Sequence, residues 1–321
     1  MAIVQAPSLN ARMNILITVV SFHYLTGSEL YVYELVRGLV RRGHRVTVAA
    51  NLVGGVLAEP ARRAGLNVFH FGTLPEHQHF DLIHANEPYP TQWALARFPG
   101  VPIVCTVHSQ FSCEQPVVDD RIRHYICVRP EVQEKITTSD GIPLEKTSVI
   151  YNPIDFERFH PIAGPKHQPF EWDLCPETLA PKHGRRVLFC GTMDLRRKQT
   201  IMDLVERSQS EGFSLRLVGR KPAGNYDGFV ENLPPNVTWF DETWRVEDHL
   251  SQCDETASIL LGRTTIEGWA CGKPGWIYDV DLASAIRSRA LHQPPADMER
   301  FDSRHVVDQI EQLYQKVLDG R

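Results

Sequence analysis

Residues 15–50 read ILITVVSFHYLTGSELYVYELVRGLVRRGHRVTVAA. Two apolar runs, Ile15–Val20 and Val46–Ala50, flank a stretch in which apolar residues recur every three to four positions. Runs rich in β-branched residues without polar alternation are typical of strands buried on both faces of a parallel sheet. The stretch between them predicts an amphipathic helix with Ser28 as its N-cap and Gly43 just after its last turn. Strand, helix and strand in this order form a βαβ unit, which indicates an α/β fold.

The same rhythm continues along the chain and is interrupted once. Four more strands are predicted in the first half: Val68–Phe71, Leu82–Ala85, Ile103–Val107 and Tyr125–Val128. Residues 161–185, rich in Pro, His and Gly, show no sustained period and are predicted to connect two domains. Strands then resume at Val187–Cys190, Leu215–Val218, Val237–Phe240, Ala257–Leu261 and Trp276–Tyr278.

The length of 321 residues suits two domains of about 150 residues each. We therefore expect an N-terminal Rossmann-like domain over residues 1–160 and a C-terminal Rossmann-like domain over residues 161–300. An apolar stripe predicts a final helix at about Val306 to Leu318, within residues 301–321. This helix could pack back on the N-terminal domain.

Composition narrows the class of protein. The net charge of −5 gives no support for nucleic-acid binding. The seven cysteines are scattered and form no CxxC pair, so neither a zinc site nor a disulfide framework is predicted, and a cytoplasmic location is expected. The apolar run Ile15–Val20 is far shorter than the roughly 20 residues that span a bilayer. Residues 1–12 lack the apolar core of a signal peptide and are interpreted as a loose extension.

The segment after the strand Ala257–Leu261 is the strongest candidate for chemistry. Residues 262–274 read GRTTIEGWACGKP, so the strand runs through Gly262 into a helix. Such a turn points backbone N–H groups and the positive helix end at a ligand above the strand, and a diphosphate fits there. Glu267 lies one turn further, about 5 Å along the helix, within reach of a ribose. A capped helix with Glu267 as a dipole partner is an equally good interpretation of this segment alone.

Two further segments follow strand ends. Residues 191–198 read GTMDLRRK and carry three cations that could neutralise phosphate oxygens, although a solvated loop is the alternative. His108 follows the strand Ile103–Val107 and is expected to project into the cleft, although a lone histidine is more often structural. The first loop lacks the GxGxxG of dinucleotide-binding proteins. The histidines of residues 76–79 match no standard zinc spacing, so no metal site is predicted.

Together these segments resemble the retaining glycosyltransferases of the GT-B fold known as family four. The resemblance is carried by five motifs in the family's order, between Asn14 and about Asp279: TGSELYVYELVRGLVRRGHRVTVAA, FDLIHAN, PIVCTVHS, SVIYNPIDFERFHP and GRTTIEGWACGKP. It implies two Rossmann-like domains with parallel sheets that face each other across a cleft.

The resemblance also implies an activity: transfer of a hexose, with retention, from a UDP- or GDP-sugar to a sugar, lipid or small-molecule acceptor. No cofactor and no obligatory metal are implied. His108 matches the cleft histidine that contacts the transferred sugar, and Glu267 matches the residue that binds the ribose. The remaining residues implied in donor binding surround the diphosphate: Gly27, Ser28, Gly191, Arg197, Lys198, Gly262, Arg263, Thr264 and Thr265.

The sequence departs from the family pattern in the second domain. The family's first donor glutamate, eight positions before Glu267, is Ile259 here, and the arginine that often follows the phosphate-loop glycine is Thr192. Little room remains between Asp281 and the final helix. A GT-B protein that binds a nucleotide sugar without transferring it, or an enzyme resembling UDP-hexosamine epimerases, is therefore an alternative. A peripheral membrane contact through Arg37, Arg41 and Arg42 of the first helix is a further possibility, with an ordinary surface helix as the alternative.

Overall fold

A computed structural model describes residues 12–161, 184–221, 224, 226 and 228–320. The predicted extension (residues 1–11) and most of the predicted connection (residues 162–183) lie outside these described residues. Within the described ranges, no helix is long and apolar enough to cross a membrane.

The first domain is built on a seven-stranded sheet in which all neighbouring strands are parallel. Its strands are β1 (Asn14–Phe22), β2 (Arg45–Val53), β3 (Asn67–His70), β4 (Leu82–Asn86), β5 (Ile103–Val107), β6 (Ile122–Cys127) and β7 (Thr147–Val149). Its helices are α1 (Gly27–Arg41), α2 (Gly55–Arg63), α3 (Pro88–Arg97) and α4 (Pro130–Thr138). Every residue of β4 and β5 is buried, as expected for central strands covered on both faces.

The second domain is built on a six-stranded sheet whose last strand is antiparallel. Its strands are β8 (Arg186–Cys190), β9 (Ser214–Val218), β10 (Val237–Phe240), β11 (Glu255–Ile259), β12 (Gly275–Val280) and β13 (Ile286–His292). Its helices are α5 (Leu195–Glu211), α6 (Val246–Gln252) and α7 (Arg263–Ala270). Two parallel-sheet α/β domains are thus present, and the predicted fold class is confirmed.

Strand order locates the cleft. The first sheet runs β3-β2-β1-β4-β5-β6-β7 and the second runs β10-β9-β8-β11-β12-β13. The order reverses between β1 and β4 and between β8 and β11. At such reversals the loops after the two strands diverge, which leaves a crevice at their carboxyl ends where ligands bind.

The last helix, α8 (Ser303–Asp319), packs on the first domain. Val307 and Tyr314 share a hydrophobic core with residues of α1 and β1. The two helices cross closely at Gly38 of α1, where an added Cβ would lie 2.5 Å from a methyl group of Val307. Arg42 also forms an ion pair with Glu311 at 3.0 Å. The chain therefore returns from the second domain and completes the core of the first.

Several predicted boundaries are wrong, each for a local reason. The N-cap of α1 is Thr26, and Ser28 already lies inside the helix. The predicted strand Ala257–Leu261 ends at Ile259, because Leu260 adopts a left-handed φ of +54°. The polar edge strand β13 occupies the stretch after Asp281 that offered little room in the sequence.

Candidate functional site

Two adjoining cavities fill the cleft between the carboxyl ends of the sheets. The smaller cavity has a volume of about 130 Å³ and the larger cavity a volume of about 510 Å³. They share one wall, which is contributed by both domains. Its residues are Thr26, Gly27, Thr192, Arg197, Arg220, Ile259, Gly262 and Arg263.

Two helix N-termini point into this shared wall. Helix α1 begins at Gly27 and α7 begins at Arg263, and neither has a side-chain hydrogen bond at its N-cap. The first N–H groups of a helix have no partner within the helix, and the aligned peptide dipoles add positive potential there. An added Cβ at Gly27 would meet nothing within 4 Å, so this glycine leaves the backbone open to the cavities. The wall is suited to an anion with several oxygens.

Glu267 lines the smaller cavity from the middle of α7 and is only 4% exposed. Its Oε1 accepts a hydrogen bond from Nε of Arg263 at 2.6 Å. Burial raises the pKa of the Glu267 carboxyl, and the positive charges of Arg263 and Arg158 oppose that rise. A buried carboxylate with free acceptor positions suits a diol. Arg263, which lines both cavities, also donates to the carbonyl of Pro153 at 3.0 Å, so its guanidinium is held at the shared wall.

The two cations predicted to contact the diphosphate, Arg197 and Lys198, lie in different surroundings. Arg197 lines both cavities, and its Nη1 forms an ion pair of 2.5 Å with Asp194, the N-cap of α5. Lys198 is exposed instead, with its ammonium 5.8 Å from the centre of the Tyr226 ring. Among the described residues, neither Lys198 nor Thr265 lines either of these two cavities. Lys198 therefore lies outside these two cavities, and its contact with the diphosphate stays a prediction.

The remaining predicted residues of the second domain determine how the strand ends and helix α7 pack together. Gly191 has φ +157° at the end of β8, and a side chain at neighbouring Gly219 would collide with the Gly191 carbonyl. Only a glycine at position 219 allows the ends of β8 and β9 to approach so closely. Thr264 donates to the carbonyl of Cys190 at 2.8 Å, and Thr265 shares a 2.6 Å hydrogen bond with Ser258. These two threonines fix α7 against the sheet.

Sequence reasoning missed Arg220, which follows β9 and lines both cavities. Its guanidinium carbon lies 3.9 Å from the centre of the Tyr24 ring, so it bridges the two domains. The sequence did contain a feature that could identify Arg220, because Gly219-Arg220 directly follows a buried strand just as Gly191 does. Arg220 supplies a second cation beside Arg197.

His108 lines the larger cavity in a defined protonation state. The side-chain Nδ2 of Asn86 donates to the carbonyl of Thr18 at 3.0 Å, which leaves its Oδ1 as an acceptor 3.0 Å from Nε2 of His108. Nε2 therefore carries the proton and Nδ1 is a hydrogen-bond acceptor. Burial and the charge of Arg129 lower the pKa of His108 to about 3, so the ring is neutral at physiological pH. Ser28 lines the same cavity.

Two carboxyl groups that the sequence did not reveal also line the larger cavity, those of the buried Glu29 and the half-buried Glu87. Burial raises the pKa of Glu29 to about 7 and that of Glu87 to about 8. Glu87 accepts from the backbone N–H of Val20 at 2.8 Å and has a left-handed φ of +69°, which is unfavourable for a residue with a Cβ. The sequence feature that could have identified Glu87 is its position directly after β4.

Within the described ranges, no group of three or more His, Cys, Asp or Glu side chains is arranged to hold a metal ion.

Some of the arginines considered for a membrane contact form ion pairs within the chain. Arg37 pairs with Asp155 at 3.6 Å, and Arg42 pairs with Glu311 of α8. Two of the three arginines considered for a membrane contact therefore take part in contacts within the chain, and the membrane contact stays a prediction.

Comparisons with known proteins agree with this architecture. Residues 25–158 match the sequence model of the family described as Glycosyltransferase Family 4. The fold is similar to that of a glycosyltransferase from Rickettsia africae, with a TM-score of 0.67 and 12% identity over 97% of this chain and 100% of the other. It is equally similar to Anabaena HepE solved with UDP, with a TM-score of 0.67 and 17% identity over 95% of this chain and 100% of HepE.

A third similar structure is WaaG, a glycosyltransferase of lipopolysaccharide biosynthesis, with a TM-score of 0.56 and 12% identity over 95% of this chain and 94% of WaaG. No curated protein sequence matches the chain. The structural similarities confirm the predicted GT-B fold, and the family model confirms the resemblance to family four over residues 25–158.

Proposed function

We propose that this protein is a glycosyltransferase that moves a hexose from a nucleoside diphosphate sugar to a sugar, lipid or small-molecule acceptor. The observation that carries the proposal is the wall shared by the two cavities. There, the N-termini of α1 and α7 converge with Arg197 and Arg220 beside the buried carboxylate of Glu267. This combination matches the charge and the hydroxyl groups of a ribose attached to a diphosphate.

In the proposed complex the nucleoside occupies the smaller cavity and its ribose hydroxyls donate to Glu267. The diphosphate lies against the shared wall, and the sugar extends into the larger cavity toward Nδ1 of His108. As the bond to the sugar breaks, negative charge develops on the leaving diphosphate. Fixed N–H groups and guanidinium groups stabilise that charge without reorganisation, which lowers the barrier. No step of this scheme requires a metal or a cofactor.

The finer points of the activity rest on the relatives. UDP is proposed as the leaving group, ahead of GDP, because HepE was solved with UDP bound. Retention of the anomeric configuration is proposed from the family resemblance, through a front-face route that uses no enzyme nucleophile. A cytoplasmic location is proposed from the scattered cysteines.

A second candidate function is binding of a nucleotide sugar without transfer. It is favoured by Ile259, which lines both cavities at the position where the family has its first donor glutamate. The connection from β11 to α7 is only three residues long, Leu260–Gly262, so it has no room for a further carboxylate loop.

A transfer assay distinguishes the two functions. The protein is incubated with UDP-glucose and UDP-N-acetylglucosamine, with and without a panel of sugar and lipid acceptors. We expect UDP release that depends on an acceptor, and NMR of the product should show the anomeric configuration of the donor. Donor binding without turnover across the panel would favour the second candidate. Conversion of the UDP-hexosamine without any acceptor would indicate an epimerase instead.

A further inference from the structure

Arg129 is a buried cation that the proposed transfer leaves without a role. It lies two residues after the end of β6, at the N-cap of α4, and is only 6% exposed. Its Nη1 is 3.5 Å from the carbonyl oxygen of His108, and its Nε is 3.9 Å from a carboxylate oxygen of Glu131. The first distance is long for a hydrogen bond, and the second is long for an ion pair. Within the described part of the chain, Nε and Nη2 have no hydrogen-bond partner.

A buried guanidinium that is paired this weakly is costly. Arginine keeps its proton in proteins, and a charge removed from water destabilises the fold unless a partner compensates for it. Arg129 lines the larger cavity, and the N-terminus of α4 beside it has no side-chain cap, which adds positive potential. Nε and Nη2 share one edge of the guanidinium. Two N–H groups on one edge match the spacing of two oxygens of a carboxylate or phosphate.

We propose that Arg129 anchors an anion subsite in the larger cavity, which binds a carboxylate or phosphate carried by the substrate group next to His108. The proposal rests on the proposed function only for the identity of that substrate. The anion belongs either to the transferred sugar, as in a hexuronic acid, or to the acceptor, as in a sugar phosphate.

Glu114 refines the chemistry of the ligand. It lines the same cavity, its negative charge acts on Arg129, and its buried Oε2 has no hydrogen-bond partner among the described residues. A ligand with an anionic group and a hydroxyl would satisfy both side chains, because the anion accepts from Arg129 and the hydroxyl donates to Glu114. Sugar acids and sugar phosphates have both groups on adjacent atoms.

The test uses the full chain saturated with UDP, so that the diphosphate wall is filled. Isothermal titration then measures binding of inorganic phosphate, glucuronate and glucose to the wild type, to Arg129→Gln and to Arg129→Lys. Arg63→Gln, which removes an exposed arginine of α2, controls for the lost charge. We expect phosphate and glucuronate to bind the wild type and Arg63→Gln, and glucose to bind neither. Arg129→Gln should weaken anion binding about tenfold or more, and Arg129→Lys should weaken it less.

A second titration identifies the source of the anion. If the transferred sugar carries it, Arg129→Gln weakens UDP-glucuronate binding about tenfold and leaves UDP-glucose binding unchanged. If the acceptor carries it, phosphate binds wild type saturated with UDP-glucose and fails to bind Arg129→Gln.

Thermal unfolding of the free proteins gives an independent readout. Because the unpaired charge destabilises the fold, the melting temperature of Arg129→Gln should equal or exceed that of wild type.

The proposal is overturned if the UDP-saturated wild type binds no anion, or if Arg129→Gln binds phosphate and glucuronate as wild type does. A large drop in the melting temperature of Arg129→Gln would also overturn it, because Arg129 would then be a structural cation. UDP affinity, measured first in each protein, separates these results from the proposed function. Normal UDP binding with no anion subsite would refute the inference alone.

Discussion

At the residue scale, Glu267 and Arg263 form a buried pair one helical turn apart at the start of α7. In the proposed complex, removing the carboxylate leaves the ribose hydroxyls without their acceptor and Arg263 without its nearest carboxylate. Glu267→Ala should therefore weaken UDP binding by about 1.5–3 kcal/mol, the range for hydrogen bonds to charged groups. Isothermal titration measures the loss. UDP binding equal to that of wild type would reject Glu267 as the ribose ligand.

Arg197 and Lys198 are adjacent in sequence and differ in placement, so they make a matched pair. Arg197 lines both cavities, whereas Lys198 is exposed beside Tyr226. Arg197→Ala should reduce UDP affinity about tenfold and leave uridine affinity nearly unchanged, because uridine has no diphosphate. Lys198→Ala should change neither affinity by more than about twofold. The reverse pattern would support the diphosphate contact predicted for Lys198 and reject the one assigned to Arg197.

Glu87 makes stability depend on pH. Because burial raises its pKa from 4.5 to about 8, the folded state binds this proton more tightly than the unfolded state does. Stability therefore falls as pH rises between about 4.5 and 8, with a limiting slope of about 1.4 kcal/mol per pH unit. Glu87→Gln should remove this part of the slope and unfold at a higher temperature than wild type at pH 8.5. If the melting temperatures of wild type and Glu87→Gln changed in parallel from pH 5 to 8.5, the raised pKa would not belong to Glu87.

The residues of the site differ in how readily the sequence reveals them. His108 and Glu267 lie in motifs whose spacing is informative. Arg129, Arg220 and Glu87 are lone polar residues after strands, and only the strand order shows that these strand ends meet at one cleft. Burial, which changes their chemistry, is a property of the assembled domains and leaves no local trace in the sequence.

At the scale of elements, α8 ties the end of the chain to α1. An alanine inside a helix is normally about 0.5–1 kcal/mol more favourable than glycine. At Gly38 the added methyl meets Val307, and overpacking of this kind costs about 1–3 kcal/mol. Gly38→Ala should thus lower the free energy of unfolding, as urea denaturation would measure. The additional change Val307→Ala should relieve the clash, so that the double variant loses less than the sum of the single losses. A stabilising Gly38→Ala would show that the helices do not cross there.

Element types were predictable where the apolar period was strong. The buried strands of both sheets and helix α1 follow from their β-branched runs and their apolar stripe. Strand β13 was missed because six of its seven residues are exposed, so it has no apolar face to mark it. The end of β11 was misplaced because the apolar Leu260 turns into a left-handed conformation that hydrophobicity does not encode.

At the scale of the whole molecule, contacts between the domains close the cleft around the cavities. The backbone N–H of Leu25 donates to Glu242 at 2.8 Å, and the indole N–H of Trp244 donates to the carbonyl of Val56 at 2.8 Å. Leu25, Glu242 and Trp244 also line the smaller cavity. A nucleotide bound there would contact both domains, so its binding energy would favour the closed arrangement.

The central claim is that this cleft binds a nucleoside diphosphate, and thermal unfolding with added nucleotides tests it most directly. A ligand that binds only the folded state stabilises it by about 2.7 kcal/mol at a concentration of one hundred times Kd. We expect UDP to raise the melting temperature in a saturable way, and to do so more than uridine, GDP or ADP. A melting temperature that none of the three diphosphates raises, at concentrations up to several millimolar, would contradict the central claim.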